Sequence, residues 1–239
     1  MNKLYSRRTP LVILISGSLS VGKSLIATSI SDAFNVSNIV QTKVVVDVLH
    51  SIYPDFKYNQ YMNENLDETQ LIESYLEESK LVRKGCNFDV EKAFVEGKAV
   101  IIEGHHIIPS LFITKENNQF FYHTPKQENE TARETEIREE MEKVEQKGII
   151  VPVLLTTQRD AQLSYLRKVA ETNKNIFRSN YSDLETYVNK VQIIQNYLIK
   201  SNEHFIEIQI NYNDPYETIK LLHKTILEQI EIGNKIGIF

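Results

Sequence analysis

The chain has 239 residues, 41% of them apolar and 25% charged, with 27 lysines and arginines against 32 aspartates and glutamates. That length suits one large α/β domain whose core needs no staple, and the composition excludes disordered, collagen-like and coiled-coil classes for the chain as a whole. The net charge of −5 argues against a surface built to hold nucleic-acid backbone, and the one cysteine, Cys86, excludes an internal disulfide and fits a reducing compartment.

Lys3, Arg7 and Arg8 precede an apolar run at 11–15, which imitates a secretory leader. The run is shorter than the h-region of about 7–15 residues, and no stretch approaches the roughly 20 apolar residues of a membrane span. A soluble, cytoplasmic protein is expected.

Residues 11–16 form a continuous apolar run, the pattern of a strand buried on both faces. Leu25, Ile26, Ile30 and Phe34 recur at helical spacing and predict a helix over 23–34. A short strand follows at 38–41, then a helix over 43–52 that ends near Pro54, then a polar and aromatic loop at 55–64. A long helical pattern covers 66–96, with a break expected near Gly85. Residues 99–103 read as a third strand, and 112–129 as irregular chain. Residues 130–147 carry charges at helical spacing and read as a solvated helix laced with i,i+4 pairs, which also offers a surface to a protein partner. A strand at 149–155, helices at 158–170 and 182–201 with a polar link containing Arg178, a strand at 205–210 and a helix at 214–232 complete the chain.

Five alternations of strand and helix predict a parallel sheet covered by helices on both faces. The expected organisation is a single domain over 1–239, with a charged helical insertion at about 112–148.

Gly17-Ser18-Leu19-Ser20-Val21-Gly22-Lys23-Ser24 matches the phosphate-binding loop at every fixed position. Its glycines let the backbone fold so that several N–H groups face one anion, and the following helix adds its N-terminal partial charge. Lys23 is placed to reach the β- and γ-phosphates, and the Ser24 hydroxyl to ligate Mg²⁺. The pattern arises by chance in roughly one chain in a hundred of this length. Here it also lies between a buried strand and an amphipathic helix, the context it requires. ATP and Mg²⁺ are therefore the expected cofactors, with 17–25, including Leu25, around the nucleotide.

In parallel α/β sheets ligands sit at the C-terminal strand ends, where Glu103 emerges from Val100-Ile101-Ile102-Glu103-Gly104-His105-His106. A carboxylate there can hold a magnesium-bound water or take a proton from an attacking hydroxyl; the alternative is a solvated strand end. Of His105 and His106, one is expected to face the cleft and the other to pack. Arg159, Arg167 and Arg178 follow the fourth strand, where a mobile arginine could stabilise charge on a transferring phosphoryl group. Asp47 and Lys43 follow the second strand, where an acid can orient an acceptor hydroxyl and a lysine can meet an anion.

These features together resemble the 2-phosphoglycerate kinase-like P-loop proteins. The stretch 90–109, with Glu103-Gly104-His105-His106-Ile107-Ile108-Pro109, is similar to the family's E-G-V-H-L-V-P. Val191-Gln192-Ile193-Ile194-Gln195-Asn196-Tyr197-Leu198 is similar to I-R-x-I-Q-x-Y-L, and 204–214 to the closing strand. The resemblance implies a kinase-type P-loop fold with sheet order 2-3-1-4-5. It departs at Thr42-Lys43-Val44-Val45-Val46, where the family carries T-D-x-I-R, and at Gln192, where it often carries arginine. An arginine lost from an acceptor site removes a bidentate anion contact that neither valine nor glutamine replaces.

The expected function is phosphate transfer from ATP to a small hydroxylated, anionic acceptor other than 2-phosphoglycerate. The alternatives are a nucleotide-binding regulator with little or no transfer, or a kinase of nucleotide sugars or polynucleotide ends.

Overall fold

The computed structural model describes residues 10–53, 55, 58–112, 148–172 and 183–235. Five strands form one parallel sheet in the order β2-β3-β1-β4-β5: β1 Leu11–Gly17, β2 Ile39–Gln41, β3 Ala99–Glu103, β4 Ile149–Thr156 and β5 Ile206–Gln209. The expected sheet order holds. The central strand is β1, whose Val12, Ile13, Leu14 and Ile15 are fully buried between β3 and β4. Burying side chains of this size contributes about 1.5–3 kcal/mol each, which explains an unbroken apolar run at the sheet's centre.

Period-two alternation splits the core into two layers. Val12, Leu14, Val100 and Ile102 face one layer, which is completed by α2 Thr42–Ile52, α3 Glu68–Glu96 and α6 Leu184–Lys200. Ile13, Ile15, Ile101, Val151 and Val153 face the other, beneath α1 Lys23–Phe34 and α7 Pro215–Lys235. A short helix α4 Pro109–Phe112 follows β3, α5 Arg159–Thr172 follows β4, and a single 3₁₀ turn, Gln60–Met62, lies in the loop before α3.

The break expected at Gly85 is absent: α3 runs unbroken for 29 residues. Its start is set by a capping box, with the Asp67 carboxylate accepting from Gln70 N–H and the Gln70 side chain returning to Asp67 N–H. Gly85 is an approach point instead, because a β-carbon there would collide with the Val45 side chain of α2. The helical cost of glycine, about 1 kcal/mol, is offset by close packing of two helices.

The charged segment 130–147 and the link carrying Arg178 lie outside the described residues, as does most of the expected insertion at 112–148. Among the described residues no helix is long and apolar enough to cross a membrane.

Candidate active site

The phosphate loop leaves β1 at Gly17, whose φ of +142° is open to glycine and strained for other residues. A β-carbon at Gly17 would also stand 2.7 Å from the Leu155 carbonyl of β4. The loop is held from three sides. Gln162 of α5 donates to the Leu19 carbonyl at 3.0 Å, Ser20 Oγ pairs with the Tyr187 hydroxyl of α6 at 2.8 Å, and the Tyr212 hydroxyl donates to the Ser20 carbonyl at 3.3 Å. Gln162 belongs to a longer chain of amides. Gln192 donates to Gln162 at 2.8 Å, and Gln195 donates to Gln192 at 3.1 Å and to the Thr157 carbonyl at 2.8 Å. Gln192 thus ties the loop to the end of β4.

Inside the loop, Lys23 Nζ donates to the Ser18 carbonyl at 2.6 Å. Burial brings the Lys23 pKa down to about 8, opposed in part by the Glu103 carboxylate. Ser18 Oγ is buried with no hydrogen-bond partner among the described residues. An orphaned hydroxyl and a desolvated ammonium in one concave loop are groups that an incoming anion would satisfy.

Ser24, in the first turn of α1, donates to Glu103 Oε1 at 2.6 Å. Glu103 is 4% exposed at the end of β3, so β1 and β3 pairing in register delivers the hydroxyl and the carboxylate to one point. The next residue, Gly104, has φ of +154°, and a β-carbon there would run into the Thr42 side chain. This close approach seats the turn carrying His105 and His106 against the start of α2.

Those two histidines separate in role. His106 is 1% exposed, with Nδ1 3.0 Å from Thr42 Oγ1 and Nε2 2.8 Å from Glu78 Oε1. His105 is half-buried, with Nε2 2.6 Å from the Tyr61 hydroxyl, while its carbonyl accepts from the Tyr75 hydroxyl. Burial, with His106, Lys23 and Lys43 adding positive potential, holds the His105 pKa well below the usual histidine range. Lys43 and Asp47 lie on α2 with exposed side chains, and Val46, where the resemblance leads one to expect an arginine, is buried in the core.

Of the arginines expected near the γ-phosphate, Arg167 is exposed on α5 and pairs with Glu185 of α6 at 2.6 Å. Arg159 donates to Asn189 Oδ1 at 2.8 Å. Arg178 lies outside the described residues.

A cavity of about 440 Å³ adjoins the loop, bordered by Ser20, Gly22, Leu25, Tyr165, Tyr187 and Tyr212. Tyr165 and Tyr212 stack with ring centroids 4.5 Å apart and planes at 13°. Tyr212 and Glu78 are not among the sequence-predicted site residues. Tyr212 follows a strand's C-terminal end, the same signal that pointed to Glu103. Nothing local marks Glu78, an acid within a long helix.

Six curated archaeal proteins named 2-phosphoglycerate kinase match this chain at 25 to 29% identity. By sequence, the chain is similar to archaeal proteins named 2-phosphoglycerate kinase. The protein of Methanothermobacter thermautotrophicus is 29% identical over 146 residues, covering 53% of this chain and 47% of its own length. That of Thermococcus kodakarensis is 28% identical over 130 residues, covering 50% and 44%. The chain thus spans less than half the length of these relatives. No family model matches. Among solved structures, a putative kinase from Chloroflexus aurantiacus is 8% identical at TM-score 0.43, covering 91% of this chain and 98% of its own. Shikimate kinase from Bacteroides thetaiotaomicron is 13% identical at TM-score 0.42, covering 91% and 98%. Likenesses at that level add nothing to the strand order read directly from the sheet.

Proposed function

We propose that this chain transfers the γ-phosphate of ATP to a small hydroxylated, anionic acceptor. The observation that carries the reading is the convergence of Lys23, the orphaned Ser18 hydroxyl and the Ser24–Glu103 pair within one phosphate loop. Sequence kinship with proteins named 2-phosphoglycerate kinase supports transfer over mere binding.

Backbone N–H groups of the loop and the Lys23 ammonium hold the phosphates, and the α1 terminus adds its partial positive charge. The stacked tyrosines border a cavity whose apolar and aromatic lining suits a nucleobase. A hydroxyl and a carboxylate 2.6 Å apart at the loop's end form an oxygen pair of the kind magnesium takes, so Ser24 and Glu103 would hold it, Glu103 directly or through water. Bound there, Mg²⁺ would neutralise charge on the phosphate oxygens.

On the acceptor side, Lys43 supplies a positive charge that acts on His105, and the Tyr61 hydroxyl fixes that ring. The ring is neutral, and its lone pair can orient an acceptor hydroxyl. Asp47, one turn beyond Lys43, is the second candidate to orient it. Val46 replaces the arginine that would clamp a carboxylate or phosphate bidentately, so we assign a different acceptor from 2-phosphoglycerate. The lid arginine is assigned to 159–178, with Arg167 and Arg178 as candidates; Arg167 would have to leave Glu185 to act. A cytoplasmic setting, where ATP is abundant and Cys86 stays reduced, fits this reading.

The test is ADP release by purified protein over a panel of phosphorylated and carboxylated alcohols, with Lys23→Ala as the blank. Stimulation by a panel member, lost in Lys43→Ala or Asp47→Asn, supports the assignment. ATP binding without stimulated turnover favours the regulatory alternative.

A further inference from the structure

Beside the phosphate loop lies a second group of chemically capable side chains. Glu78 of α3 and His105 and His106 after β3 each offer a ligand atom within 4.8 Å of the other two. Glu78 is 5% exposed, and a carboxylate at that depth requires a positive partner. Among the described residues its ion-pair partner is His106, at 2.8 Å, which carries charge only while it holds a proton. The His105 ring stands 3.9 Å from the His106 ring. Two imidazoles so close cannot both be charged at low cost. The cluster therefore brings one buried carboxyl group and two imidazoles together, with the Lys23 and Lys43 charges acting on His105 from outside it.

Each of the three groups is also oriented from outside. His106 Nδ1 is held by Thr42 Oγ1 at 3.0 Å, Glu78 Oε2 accepts from Asn59 N–H at 2.7 Å, and the His105 ring is held at Nε2 by the Tyr61 hydroxyl at 2.6 Å. Metal ligands are aligned in this way, by partners that fix ring orientation and carboxylate direction.

We propose that Glu78, His105 and His106 bind a divalent cation of the zinc class, through Glu78 Oε1, His106 Nε2 and one imidazole nitrogen of His105. Two nitrogens and one oxygen suit zinc, and three protein ligands leave a coordination position for water or an oxygen of the acceptor. Magnesium prefers oxygen ligands and stays with Ser24 and Glu103. Binding displaces the proton of the His106–Glu78 hydrogen bond to solvent, and a divalent ion in its place leaves the site one unit more positive. The metal site does not depend on the kinase reading; its service to the acceptor rests on it, since a bound ion would orient and acidify an acceptor hydroxyl.

The experiment uses the full chain, stripped with chelator, dialysed against zinc and analysed for metal by mass spectrometry. Wild type retains about one equivalent, and His105→Ala and Glu78→Gln bind zinc at least about tenfold more weakly. Cobalt(II) added to wild type gives the visible bands of a four-coordinate ion, a reading that needs no variant and so survives any folding defect. Lys23→Ala loses ATP binding and keeps its zinc. No retained zinc and no cobalt bands in wild type, or equal zinc in wild type and a folded His105→Ala, overturns the proposal. Zinc held by protein that neither binds ATP nor transfers phosphate leaves this site standing and removes the kinase reading instead.

Discussion

Ser24 Oγ donates to Glu103 Oε1 at 2.6 Å across 79 residues of sequence. The bond joins the first turn of α1 to the end of β3, and it exists because β1 and β3 pair in register from Leu11 with Ala99 to Ile15 with Glu103. Glu103→Gln keeps the shape and removes the charge. Nucleotide affinity should stay within a few-fold, while any phosphate transfer or ATP hydrolysis falls by roughly 10²-fold or more, the scale of a positioned acid or base. Unchanged turnover would reduce Glu103 to a strand-end residue.

Lys23 predicts a pH dependence of binding. Burial lowers its pKa to about 8 in the free protein, and phosphates beside it raise that value in the complex. The protonated form binds. Affinity for MgATP should be flat below about pH 8, then fall by up to about tenfold per pH unit until the pKa of the complex is reached. Calorimetric titrations across that range check the sign. Affinity that rises with pH, or stays flat through the alkaline range, contradicts the role.

The Tyr165–Tyr212 stack predicts a base-dependent effect. Tyr212→Ala removes one ring of the pair and the hydroxyl that donates to Ser20. MgATP affinity should fall about tenfold, equivalent to about 1.4 kcal/mol, while inorganic triphosphate loses much less. Equal losses for both ligands would place the tyrosine's effect in the loop alone.

Gly104→Ala tests the packing behind the site. The new methyl group meets the Thr42 side chain, and φ of +154° opposes it as well. Destabilisation of about 1–3 kcal/mol is expected, read as a lower Tm or denaturation midpoint. A variant as stable as wild type would mean that the turn and α2 yield freely.

The parts legible in the sequence were those with local signals. The phosphate loop announces itself by glycine spacing, and residues 99–103 by an unbroken apolar run ending in an acid. Gly85 misled because a glycine's effect depends on what approaches it: in isolation it weakens a helix, but here it admits Val45. Glu78 gave no signal because its partners, His106 and Asn59, arrive 28 residues downstream and 19 upstream through tertiary packing. The glutamine chain from Leu19 to Thr157 was likewise invisible, since Gln192 read as an arginine lost and not as an amide gained.

ATP turnover with a candidate acceptor tests the central claim most directly. Purified protein, MgATP and a panel of anionic alcohols would be followed by ADP release and by phosphate appearing on the acceptor. The account predicts that a panel member other than 2-phosphoglycerate stimulates transfer and that Lys23→Ala abolishes it. Efficient transfer to 2-phosphoglycerate would refute the reading of Lys43 and Val46. Tight ATP binding with no acceptor-stimulated transfer across the panel would contradict the kinase assignment itself.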